Sequence, residues 1–132
     1  MPTEPVPAPR VPDDLPLNWT SSTERGADAV VVHLTGELDY PGRDRLEDLF
    51  ADVFATAPAV LVVEMSGVDF CDSSSLQVLL RASTRAADSG TGFALAAAGR
   101  AVTRPVTVLG LDEQLPCYVT VDAAVAALRD AR

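Results

Sequence analysis

Two rhythms alternate along this chain. Residues 29–36, "AVVVHLTG", form a continuous, β-branched apolar run of the kind seen in strands buried on both faces. Residues 59–67 ("AVLVVEMSG") and 91–99 ("TGFALAAAG") repeat that signal, and "CYVTV" is a shorter version near the end. Between these runs the apolar positions move to helical spacing. In "PGRDRLEDLFADVFAT", Leu46, Leu49, Phe50 and Val53 recur at helical intervals with charges between them, and Pro41 suits a first helical turn. Over residues 73–88, Leu76, Leu79, Leu80 and Ala87 mark one face, and Gly90 supplies a stop. "RAVTRPVTVLGL" predicts a weaker helix, because Pro105 lies past the tolerated first turn and would kink it or delay its start. "DAAVAALRDAR" predicts a last helix with Asp122 as its N-cap. A short first strand is expected in "LNWTSS", with "TERGAD" as the polar turn after it.

The resulting order, ββαβαβαβα, implies an α/β fold. A mixed central sheet joined by parallel crossovers would carry about four helices packed on it. Residues 1–16 are rich in Pro and acid and lack periodicity, which predicts a disordered tail ahead of a single domain over 17–132.

Composition narrows the function classes. Hydrophobic residues make up 48% of the 132 residues but aromatics only 5%, so the core must rely on Val, Leu and Ala. The net charge is -9 and every basic residue is Arg, a balance that argues against nucleic acid and anionic membranes as partners. No signal-peptide pattern or membrane-length apolar run is visible, which predicts a cytoplasmic protein. Cys71 and Cys117 match no metal spacing and are expected to be buried free thiols.

The candidate chemistry lies in "GVDFCDSSSLQVLL", residues 67–80. Asp72 precedes a helical pattern, so its carboxylate can cap the free N–H groups of the first turn. A hydroxyl at that helix start also lies where free N–H groups and the positive dipole end accommodate a phosphate. The strand end "LTGELDY" carries Glu37 and Asp39. If this strand neighbours "AVLVVEMSGVDF", Asp39 approaches the serine turn and contributes an acidic patch beside the target hydroxyl. His33 could serve a hydrolase only if it met Ser73 and an orienting acid, and no GxSxG elbow exists, so a half-buried strand position is expected. Trp19 is expected to pack the first strand. The acids of "GELDYPGRDRLEDLF" alternate with Arg43 and Arg45 and predict a solvated face, not a metal site. No glycine spacing predicts a nucleotide loop, and no cofactor is expected.

These segments resemble the STAS domains of the anti-sigma-factor antagonist (anti-anti-sigma) family from about Val30 to Leu128. "VVHLTGELDY" is similar to the family's strand signature, and "VDFCDSSSLQVLL" to its phosphorylation motif, with the family's separation between them. The resemblance implies a non-enzymatic partner switch that controls transcription, as in bacterial stress responses. An anti-sigma factor that is itself a serine kinase would bind the unmodified protein and phosphorylate Ser73, releasing it. A serine phosphatase would reverse the change. Asp39, Asp72, Ser74, Ser75, Leu76 and Gln77 would then form the partner-binding surface, with Ser74 and Ser75 as alternate phosphorylation sites. Ser75 and Gln77 stand where the family usually has Gly, and their bulk is expected on the docking surface. The rival reading is a STAS module that is not phosphorylated and acts as a constitutive subunit or scaffold of a larger complex. A small hydrolase using Ser73 is a third.

Overall fold

A computed structural model describes residues 17–131; the proposed Pro-rich tail lies outside the described residues. The elements are β1 (Trp19–Arg25), β2 (Ala29–Leu38), a 3-10 turn (Tyr40–Gly42), α1 (Arg43–Phe54), β3 (Val60–Cys71), α2 (Ser73–Ser89), β4 (Gly92–Ala96), α3 (Arg100–Val108), β5 (Cys117–Tyr118) and α4 (Val121–Asp130). The expected order ββαβαβαβα is found. The five strands lie side by side in sequence order, with β1 antiparallel to β2 and every later pair parallel.

That monotonic order dictates the layering. Successive right-handed crossovers stepping in one direction put their helices on one face of the sheet. There, Leu46, Phe50 and Val53 of α1, Leu76, Leu79 and Ala82 of α2, and Val102 and Val106 of α3 share a core with Val32, Leu34, Leu61, Val63, Met65 and Leu95. Among the described residues the other face has only α4, whose Ala124 packs with Ala29, Val31, Val60, Val62, Ala94 and Ala96. Small alanines in β4 and α4 let helix and sheet approach closely. Toward the C-terminal ends of β2 and β3 no described element covers this second face, and the sequence changes to match. The β1 residues Thr20 and Ser22 pair with Thr35 and His33 there.

Several boundaries differ from the pattern-based expectation. Strand β1 continues through Thr23, Glu24 and Arg25, because those residues pair with Val32, Val31 and Val30; the turn is confined to residues 26–28 and closed by Gly26 N–H to the Ala29 carbonyl at 2.8 Å. Strand β3 runs past Gly67 to Cys71, carried by register shifts against β2 between His33 and Thr35 and between Gly36 and Glu37. Helix α2 buries Val78, Ala82 and Ala86, whereas Leu80 is half-buried and Ala87 exposed. Its stripe is wide because α1 lies on one side and the segment after α3 on the other, where Ser83 Oγ donates to the Gln114 carbonyl.

Pro105 does not delay α3, which starts at Arg100 and contains it. The buried Val102 and Val106 hold the helix against the core despite the missing N–H donor. The N-cap of α4 is Thr120, not Asp122: the Thr120 hydroxyl accepts from Ala123 N–H at 3.0 Å. Asp122 lies inside the first turn, where its charge still suits the dipole. Gly90 ends α2 in the left-handed conformation at φ 73°, as expected.

Gly36 is the position on which the β1–β2–β3 junction turns. Its φ is +103°, and a Cβ there would lie 2.4 Å from the Asn18 carbonyl oxygen and 3.0 Å from Trp19 Cα, both backbone atoms that cannot swing aside. Gly36→Ala is therefore expected to destabilise the fold by about 2–3 kcal/mol. Gly90→Ala, with the same sign of φ but open space around its Cβ, should cost about 1 kcal/mol. Urea denaturation of the two variants checks the difference; equal losses would refute the steric part of the argument.

Candidate phosphorylation and docking site

The site is assembled by the ends of β2 and β3. In the parallel register Glu37 lies beside Phe70 and Leu38 beside Cys71, and the Asp72 N–H donates to the Leu38 carbonyl at 3.0 Å. One backbone hydrogen bond thus joins the "GELD" and "DSSS" segments, and Asp39 directly follows the residue whose carbonyl accepts it.

Asp72 is the N-cap of the 17-residue α2. Its Oδ1 accepts from the Ser75 N–H at 2.9 Å and from the Ser74 hydroxyl at 2.7 Å, while its carbonyl accepts from the Leu76 N–H at 2.9 Å. Burial works against the charge of this carboxylate. The Ser75 N–H, the neighbouring Ser74 and Ser75 hydroxyls and the Tyr40 N–H outweigh it and hold the carboxyl below its ordinary range. Beyond the cap, the first turn of α2 contains no acidic residue, so the dipole end there has no side-chain anion of its own.

The serines are not equivalent. Ser73 is exposed at the first helical position, and Ser74 is half-buried against Asp72. Ser75, expected on the docking surface and as an alternate site, is 1% exposed, and Leu76 is 4% exposed in the main core. Both point inward because they sit on the core stripe of α2, with Val78, Leu79 and Ala82. The Ser75 hydroxyl closes no hydrogen bond of good geometry, although it lies near enough to Asp72 to help depress its carboxyl. Gln77, on the opposite side of the turn, is exposed as expected.

Asp39 is half-buried, and its Oδ2 accepts from Asn18 Nδ2 at 2.7 Å. The sequence reading missed Asn18, which lies just before β1. It also missed Tyr40 and Phe70, which are 52% and 48% exposed at this end of the sheet. The usable signal was an aromatic residue at the close of each strand, directly next to the two motifs.

Other candidate groups lie elsewhere. His33 sits midway along β2, with Nδ1 2.9 Å from Glu64 and Nε2 3.2 Å from Glu24. Its register partner is Glu64, far short of Ser73 along β3, so the Ser–His pair of a hydrolase is not assembled. Glu64 also accepts the Ser66 N–H at 2.9 Å; burial opposes its charge, but these bonds hold its carboxyl below the usual range. Both cysteines are free. Cys71 is half-buried, and burial together with the Asp72 charge pushes its thiol up to about 12. Cys117, expected to be buried, is exposed because β5 is a two-residue edge strand. Among the described residues, no group of three or more His, Cys, Asp or Glu is placed to hold a metal ion, and no helix is long and apolar enough to cross a membrane.

Asp72 titrates with a predictable sign. Its folded carboxyl is depressed, so its contribution to stability is full above the ordinary carboxylate range and fades as pH falls through the folded value. Asp72→Ala should cost about 1 kcal/mol at neutral pH. The cost should shrink once pH falls well below the ordinary carboxylate range, where the native carboxyl is protonated as well. Denaturation midpoints across pH test this; a pH-independent difference would show that the cap is not ionic.

Comparisons with known proteins agree with this architecture. Residues 21–121 match the family described as "Mlab, STAS domain". The chain is 33% identical over 101 residues to the anti-sigma-F factor antagonist RsfA of Mycobacterium tuberculosis, covering 75% of this chain and 79% of that protein. RsfB of the same organism, also an anti-sigma-F factor antagonist, is 30% identical over 102 residues, covering 77% and 83%. The crystal structure of an anti-sigma factor antagonist from Mycobacterium paratuberculosis superposes with a TM-score of 0.77 at 34% identity, covering 84% of this chain and 94% of that one. Unphosphorylated SpoIIAA shares the fold at 19% identity, with a TM-score of 0.71 over 84% of this chain and 97% of its own. A capped serine turn tied to a "GELD" strand end, in a sheet of this order, is thus found in a chain that belongs to the STAS-domain family of anti-sigma factor antagonists.

Proposed function

We propose that this protein binds an anti-sigma factor that is also a serine kinase, and that phosphorylation of Ser73 releases it, so that transcription is controlled by partner switching. The observation that carries the reading is the contrast among the serines. Ser73 is open to a kinase at a helix start, Ser74 is tied to the cap, and Ser75 is buried. RsfA and RsfB, named as antagonists of an anti-sigma factor, supply the partner class.

Docking would place the partner over Ser73, Ser74 and Gln77, with Asp72 and Asp39 behind them. A phosphate adds roughly -1.5 to -2 charges. The dipole end of α2 accommodates that charge within this protein, so the fold survives. Against a docked partner the same charge adds to Asp72 and Asp39 and must be desolvated, which costs about 1.5–3 kcal/mol, or ten- to a hundredfold in affinity. A serine phosphatase would restore binding. The buried side chain of Ser75 adds no bulk to this surface. The main sequence argument for a constitutive, unphosphorylated scaffold therefore loses its physical basis.

Phosphosite mapping by mass spectrometry on the protein from its own cells is the direct test. Phosphate is expected at Ser73, in a fraction that changes with growth condition, and absent from Ser75. An unmodified turn under every condition would favour the constitutive module. In parallel, Ser73→Asp should weaken binding to the anti-sigma factor while changing fold stability by less than about 1 kcal/mol. Ser73→Ala should bind and never be released. Retention of the partner by Ser73→Asp would refute the switch.

A further inference from the structure

We infer that Tyr40 and Phe70 are the aromatic anchors by which the proposed partner is held, and that the partner's matching face is an apolar pocket rimmed by Lys or Arg. This deepens the reading above and rests on it. Among the described residues the large exposed hydrophobics are Tyr40, Phe70, Val108, Leu109 and Val119, and only the first two are aromatic. The other described aromatics, Trp19, Phe50, Phe54, Phe93 and Tyr118, are buried or half-buried. In a chain with so few aromatics, the two left open both lie where the ends of β2 and β3 meet α2. Phe70 is in register with Glu37, two residues before the Asp72 cap, and the Tyr40 N–H supports the Asp72 carboxylate. Val108 and Leu109, by contrast, close the C-terminal end of α3, away from the helix starts.

Tyr40 is held ready. The Arg43 guanidinium lies 4.4 Å from its ring centroid and 3.4 Å from its hydroxyl. The turn beneath it is fixed by Gly42, where a Cβ would come within 2.2 Å of Trp19 Nε1. An anchor that is already ordered loses little entropy on binding, which is why rigid aromatics dominate interface energetics. Phe70 gains order from the strand that carries it, next to the register shift at Glu37. Glu37, the register neighbour of Phe70, and Asp69, the residue before it in β3, are both exposed, and Asp39 and Asp72 are half-buried at the same strand ends. An apolar centre with an acidic rim, on a chain of net charge -9, selects a basic rim on the partner.

The test measures binding of the full-length protein to purified anti-sigma factors of its own organism, using the one that binds the unmodified protein most tightly. Phe70→Ser and Tyr40→Ser should each lose about tenfold or more in affinity, mainly through faster dissociation. Phe70→Leu and Tyr40→Phe should recover most of it, which guards against a folding defect. Asp69→Asn should slow association and reduce its dependence on salt. Val108→Ser, at the C-terminal end of α3, should stay within about twofold. Binding of the Tyr40 and Phe70 serine variants like that of Val108→Ser would overturn the anchor assignment and leave the switch standing. If no anti-sigma factor binds the unmodified protein, the switch and the anchors both fall.

Discussion

The parallel pairing of β2 with β3, continued beyond the end of β4, is the constraint on which the remainder of this structure depends. β4 pairs with β3 only from Val60 to Glu64, while β2 accompanies β3 as far as Cys71. Two register shifts absorb the twist over that overhang, and Gly36 supplies the φ that lets Asn18 and Trp19 approach. The overhang ends in the bond from Asp72 N–H to the Leu38 carbonyl. Two loops that are remote in sequence are thereby fixed to each other by main chain. Their relative position does not depend on long, entropy-rich side chains.

The layering then decides what each end of the sheet is free to do. Three crossover helices close one face, so the side chains of α2 that point toward the sheet are committed to packing. Ser75 is caught by that commitment. It is a polar residue on a core stripe, compensated only by the Asp72 carboxylate beside it. Among the described residues, the second face is closed only where α4 reaches. Its open part is finished with Thr, Ser and the His33–Glu64–Glu24 group, in which half-buried polar atoms mostly find one another.

Electrostatics at the serine turn combines opposing demands. Asp72 must be charged to cap α2, and the bonds around it secure that charge against burial. The same charge makes the surface costly to a second anion once water is excluded by a docked partner. In solvent, the helix dipole and hydration offset the cost. Under the proposed switch, such a site would tolerate phosphate when free and reject it when bound, a differential that partner release requires.

Local chemistry was enough to reveal the element order, the α/β class, the Asp72 cap, the Gly90 stop and the likeness of two short motifs. Each of these is set by period, by a capping side chain or by φ within a few residues. The sequence also placed Ser73 at a helix start. It could not say which of three neighbouring serines faces water, because helix rotation is fixed by packing against α1 and the sheet. Nor could it see that β1 runs through Arg25 or that β3 runs to Cys71. Those polar residues are strand only because a partner strand satisfies their backbone. The cap of α4 moved from Asp122 to Thr120 for a similar reason: both residues can cap, and the path from β5 decided between them. Tyr40, Phe70 and Asn18 read as ordinary residues in the chain. Only strand pairing sets Phe70 beside Glu37, and only the tertiary structure sets Asn18 against Asp39, since non-local pairing is the one thing that a linear pattern does not carry.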